Sequence, residues 1–319
     1  MEEQQIKIDS SVMNTWIDCI ATEFDLFFFS SANESLIKQL GSSALIMNYN
    51  NFLQSEFHNK DTVNFYETWN LKEGIEKVCI VHLDIFPTLP KNIRKYIIEE
   101  QIKLNRGLIF NWNFVKELLR KVPEEKVRTK THKLLSKYTL NYNDEKFLLI
   151  HAKLWEELHY NFKYHLILRL SKEYISNFTA SKKTYKLLAN KYPHISSYFN
   201  SYPEKNGANC FAATLAAISG AQAQTDWLIY NWVDFTTFHN GIELNQYKKV
   251  SISFKELEAE DLIIWMNKDG VTLHATFHLG YNYFFNKNGQ SFILPWEIIS
   301  LEELLTMWGK DNIMIYRKQ

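Results

Sequence analysis

The stretch that most restricts what this chain can fold into is Gly207–Gly220, GANCFAATLAAISG. It reads as a small, alanine-rich helix, and strand-like runs follow it in DLIIWM, LHATFHLG, YNYFFNK and QSFILP, then a last helix and strand in SLEELLTMW and NIMIYRK. A helix followed by such a run of short strands predicts an α+β domain in which a central helix packs on an antiparallel sheet. Asn209 suits the cap position, so Cys210 becomes the first residue inside the helix. Unpaired amides and the helix dipole at that position favour negative charge, which predicts a thiol pKa drawn down from about 8.5 toward neutrality. The competing reading is a small apolar side chain buried for packing, as for Cys19 and Cys79.

Ahead of this domain the texture differs. Residues 1 to about 108 mix helical stretches, such as MNTWIDCIATEF, with buried-strand runs in SALIMNY and KVCIVHLDIF. From Asn111 to about Phe199 the apolar spacing turns helical, notably through DEKFLLIHAKLWEELHYNFKYHLILRLSKEYI. NSYPEKNGAN, Asn200–Asn209, gathers Pro, Gly and Asn as an exposed loop does. The expected division is therefore 1–199, a mixed and helix-rich accessory region splitting near 110, and 200–319, the domain led by Cys210.

Lys+Arg and Asp+Glu both number 36, so no global charge draws the chain to nucleic acid or to an anionic membrane, and neither is an expected partner. Aromatics at 15% set it apart from disordered chains. No apolar run reaches the length of about 18 residues that a span needs. Three scattered cysteines argue against a disulfide framework or a thiolate zinc site, and with an acidic, polar N-terminus they make the cytoplasm the expected location.

Alternation along LHATFHLG puts His274, Thr276 and His278 on one strand face. If the chain folds back about Gly280, His274 opposes Asn286, whose amide could fix the ring tautomer. A two-residue turn at Gly280-Tyr281 would oppose His274 to Lys287 instead. Asn288-Gly289 is a hairpin signal that starts the next strand. Cys210, His274 and Asn286 then make a cysteine triad. His278 lies about 13 Å further along an extended strand and reads as structural or substrate-facing. His151, His159 and His165 lack the spacing of a helical zinc motif, so no metal is expected. The aromatics of WLIYNWVDFTTF, from Trp227 to Phe238, line either a substrate cleft or the core, and core packing is favoured.

NCFAATLAA, EDLIIWM and HATFHLG, with Asn286 twelve residues after His274, resemble the cysteine helix, the Gly-Asp-Leu strand and the histidine strand of NlpC/P60-type papain-like cysteine peptidases. The resemblance covers roughly Tyr202–Ile315. It implies a papain-like fold with Cys210 as nucleophile, His274 as base and Asn286 as the polar residue that orients it. This chain reads Asn209-Cys210-Phe211-Ala212 where the family usually has Asp-Cys-Ser-Gly, and Glu260-Asp261-Leu262 for Gly-Asp-Leu. In the family that first aspartate helps hold the amino group of a cell-wall peptide. Asn209, His278 and Trp227 form the expected substrate-facing set. The expected activity is a thiol-dependent amidohydrolase acting on a peptide or peptide-like amide, with no cofactor. A protein partner is expected through the N-terminal region. An acyltransferase with the same triad, and a papain-like fold serving only as a binding module, are the alternatives.

Overall fold

The computed structural model describes residues 8–20, 22–30, 34–173 and 180–319. The chain divides into two compact units, Trp16–Arg169 on the one hand and Met1–Thr15 with Leu170–Gln319 on the other. The division falls near 170, ahead of the Pro- and Asn-rich loop at 200. The helices Lys182–Lys191 and Pro193–Ser196 account for this, since they send Leu188, Tyr192 and Ile195 into the core of the second unit. Among the described residues no helix is long and apolar enough to cross a membrane.

The first unit holds two antiparallel sheets. β1 (Phe24–Ser30), β2 (Ala44–Asn48) and β3 (Ile75–His82) pair in the order β1-β3-β2. β1 is an edge strand, and side chains take its outward backbone groups. Gln101 accepts the Phe28 N–H and donates to the Phe28 carbonyl, both at 2.8 Å, and Arg106 Nε donates to the Leu26 carbonyl at 2.9 Å. An edge occupied in this way cannot template another strand. β4 (Ile109–Asn111), β5 (Thr139–Tyr142) and β6 (Glu145–Leu149) pair in the order β4-β6-β5.

That second sheet corrects the helical reading of the segment from Asp144 onward. Asn143 and Asp144 both take left-handed φ, 48° and 62°, and close a two-residue turn that pairs Tyr142 with Glu145. Asn and Asp are the non-glycine residues that tolerate this conformation best, and the turn aligns β6 on β5. Helix resumes only at Ala152–Glu157 and Tyr160–Glu173.

The second unit is α+β. β7 (Tyr247–Val250), β8 (Leu262–Met266), β9 (Thr272–Gly280), β10 (Tyr283–Lys287), β11 (Trp296–Ser300) and β12 (Ile313–Lys318) form one antiparallel sheet in the order β11-β10-β9-β8-β12-β7. QSFILP, expected to be a strand, is instead the connection ahead of β11, which begins at Trp296. Directly paired residues share a face. One face carries Leu262, Ile264, Ala275, Phe277, Phe285 and Ile298, in one core with the helix Cys210–Ser219. The other carries Ile263, Trp265, Phe284 and Ile299, packed on the helix Leu301–Trp308. The cysteine helix is buried at every position from Cys210 to Ile218, which Ala212, Ala213, Ala216 and Ala217 make sterically feasible, and it ends at Gly220 with φ 66°.

Candidate active site

The β9–β10 hairpin turns at Tyr281 and Asn282, with φ 52° and 68°, so Gly280 pairs with Tyr283. After a bulge Phe284 pairs with His278 and Phe285 with Phe277. This replaces both registers expected from the sequence. Continued by one residue it sets Asn286 opposite Thr276, so that His274 reaches Asn286 diagonally, on the same face.

The two side chains do meet. His274 Nε2 lies 2.8 Å from Asn286 Oδ1, and neither residue has appreciable contact with solvent. An amide oxygen only accepts, so Nε2 carries the proton and Nδ1 is left with a lone pair. The amide orientation is supported from its other end, where Asn286 Nδ2 donates to Asn288 Oδ1 at 3.1 Å, and Trp308 Nε1 donates to the same oxygen at 3.2 Å. The Trp308 ring also stacks flat on the imidazole, with centroids 4.0 Å apart and planes 6° from parallel, and Trp265 packs on it at 5.5 Å. Nδ1 is buried and has no hydrogen-bond partner. Burial pulls the imidazole pKa down to about 3, against a smaller opposing effect of the Asn286 bond, and so keeps the ring neutral.

Cys210 occupies the predicted helix position. Asn209 Oδ1 accepts the Ala212 N–H at 3.0 Å, and Asn209 Nδ2 donates to the Val233 carbonyl at 2.7 Å. Both ends of this amide are thereby engaged in structure, so Asn209 shapes the helix entrance rather than facing a substrate. Cys210 itself is 6% exposed. Burial pushes its thiol up to about 11, although the backbone amides of Ala275 and Phe211 and the Lys287 ammonium all favour the thiolate. The expected downward shift is overturned, because desolvation outweighs the help from the helix start.

The thiol is thus grouped with the peptide amide that directly follows His274, while the imidazole leaves β9 on the face of Trp265 and Trp308. No hydrogen bond joins Cys210 to His274. His278 is buried, with Nδ1 2.6 Å from the Glu258 carbonyl and its ring stacked on Phe284 at 4.6 Å. These contacts make it a structural residue. Trp227 is 70% exposed, and Tyr230, Trp232 and Phe235 are also exposed, whereas Ile229, Val233 and Phe238 enter the core. The favoured core reading of that aromatic segment therefore holds for its aliphatic members and Phe238 only.

No family model, curated protein or solved structure matches this chain. The site must be judged on its own geometry. Trp308 and Lys287 also belong here: Trp308 follows His274 by 34 residues with no local signal, and Lys287 enters the sequence reading only as the residue opposite His274 in the alternative register, since a lysine reads as surface. Among the described residues no group of three or more His, Cys, Asp or Glu could hold a metal ion.

Proposed function

We propose that the chain is a thiol-dependent amidohydrolase acting on a peptide or peptide-like amide, with a papain-like second unit of the NlpC/P60 type. One observation carries the reading: Cys210 opens a helix, and the Ala275 and Phe211 amides and the Lys287 ammonium beside its sulfur all favour the thiolate. His274 and Asn286 lie on the opposite face of the sheet, so Nδ1 does not take the Cys210 proton directly. With the thiol protonated at rest, proton loss accompanies attack rather than preceding it. As sulfur bonds to the carbonyl carbon and the C–N bond breaks, the thiol proton ends on the departing amine and an acyl-enzyme is left. Water then adds to the acyl carbon, one of its protons returns to sulfur, and the acid and the free thiol are released. In this reading the Cys210 amide at the helix start holds the oxyanion. An amine or alcohol in place of water would make the same site an acyltransferase.

A binding module without catalysis is the second reading, favoured by the burial of the thiol and the missing bond to His274. Neutral-pH alkylation, read residue by residue by mass spectrometry, separates the two. The enzymatic reading expects Cys210 to be labelled well ahead of Cys79, which is fully buried and whose thiol is pushed up to about 12, and expects an acyl adduct on Cys210 after incubation with candidate peptides. Labelling no faster than Cys79, with no adduct, sinks it.

A further inference from the structure

Lys287 follows Asn286 on β10 and turns to the opposite face, the one on which the cysteine helix lies. It is 0% exposed. Its Nζ donates to the Gly289 carbonyl at 2.9 Å and to the Ser291 carbonyl at 3.0 Å. The turn gathered in this way is tied in its turn to the loop that leads into the cysteine. Gly207 N–H donates to the Gln290 carbonyl at 2.8 Å, and Phe292 N–H donates to Asn206 Oδ1 at 3.0 Å. A path of hydrogen bonds therefore runs from the ammonium through residues 289–292 to residues 206 and 207, four and three residues before the thiol.

We propose that Lys287 is a positioning residue for Cys210: it clamps the turn that fixes the entrance to the cysteine helix and sets a cation beside the sulfur as the thiolate develops. The inference rests on the reading of Cys210 as a nucleophile. The ionisable groups that interact with Lys287 are Cys210, on the helix, and Glu297, from β11. A lysine with no exposed surface is costly unless its charge is compensated. Two carbonyls satisfy two of its three donors, and the negative charge that catalysis creates on sulfur supplies compensation only at the moment it is needed. Burial pulls its pKa down to about 7, while Cys210 and Glu297 act to raise it. The site on this face of the sheet thus has its own proton-holding group, separate from His274 on the other.

The test is the pH profile of Cys210 alkylation by iodoacetamide in the full chain, for wild type, Lys287→Met and Lys287→Arg. The Met variant is expected to lose thiolate, with Cys210 labelling at pH 8 falling by about tenfold for each unit by which the thiol pKa rises. Arginine keeps its charge and should restore labelling and move the midpoint below that of wild type. A lysine that served packing alone would, on removal, loosen the turn and leave the midpoint unchanged while labelling rose at every pH; that result overturns the proposal. Should a Lys287 variant fail to fold, Cys210→Ser gives the same answer with Lys287 intact. By NMR of labelled lysine, Lys287 should deprotonate at lower pH in Cys210→Ser than in wild type, and equal midpoints overturn the inference. If wild-type Cys210 is inert across the whole range, it is the proposed function that fails.

Discussion

Asn286→Ala tests the centre of the site. The substitution removes the oxygen that accepts the His274 Nε2 proton at 2.8 Å, and with it the bond from Nδ2 to Asn288 at 3.1 Å. Losing the second, between two polar side chains near the sheet edge, costs about 1 kcal/mol. The first costs more, because the imidazole N–H stays buried with nothing to accept it, a penalty of about 1–3 kcal/mol. A total of about 2–4 kcal/mol follows for the second unit. The pairwise part is isolated by a double-mutant cycle with His274→Ala, in which the coupling should be about 0.5–3 kcal/mol in favour of the pair, the range for residues in direct contact. With two compact units, unfolding need not be one step. Urea titrations are therefore read by hydrogen exchange at the β9 and β10 amides, which report the second unit alone. A coupling within about 0.5 kcal/mol of zero would refute both the tautomer assigned to His274 and the role given to Asn286.

The imidazole pulled down to about 3 also makes stability pH-dependent. Its folded pKa is below the unfolded value, so the folded state binds fewer protons and stability is lost as pH falls from about 6.5 toward 3, at a slope of up to about 1.4 kcal/mol per pH unit; His274→Phe should flatten this slope in the second unit, as seen by exchange at pH 6 and pH 4. Two glycines should respond differently to alanine. At Gly107 an added Cβ would meet the Phe65 carbonyl oxygen at 2.5 Å and the Tyr66 carbonyl carbon at 2.9 Å, backbone that cannot yield, whereas at Gly241 it meets the mobile end of Leu215 at 2.7 Å. Thermal melts should show Gly107→Ala costing about 3 kcal/mol or more and Gly241→Ala about 1 kcal/mol or less, since overpacking is tolerated where a side chain can shift and a helical glycine gains from replacement. Equal losses would contradict the contacts.

What could be read from the sequence was whatever short-range chemistry decides. Asn209 before an alanine-rich run places a helix start whatever the rest of the chain does, and the alternation in LHATFHLG holds because the sheet is covered on both faces. The pairing of His274 with Asn286 was also reached, but through the wrong register. Tyr281 and Asn282 hold the left-handed turn without glycine, so Gly280 misled the count. Glu145–Leu149 was missed because five residues are too few to oppose the helical spacing on both sides, and the Asn143-Asp144 turn carried the only local clue. The thiol pKa was misjudged for a different reason. The helix start is local, but the burial that outweighs it is set by β9, β10 and the packing of the whole unit.

The enclosure of the cysteine helix has a consequence for how this protein can vary. A helix with one wet side accepts replacements in a beat of about 3.6 residues. Here Cys210 through Ile218 are all enclosed, so a full replacement scan should give an unbroken block of intolerance with no periodic relief. Bulk added anywhere along it must be matched by bulk removed from the sheet or from the flanking helices. The neighbourhood of Cys210 is therefore the part of the second unit least able to drift one residue at a time, and change has more room around the exposed rings of Trp227, Tyr230, Trp232 and Phe235.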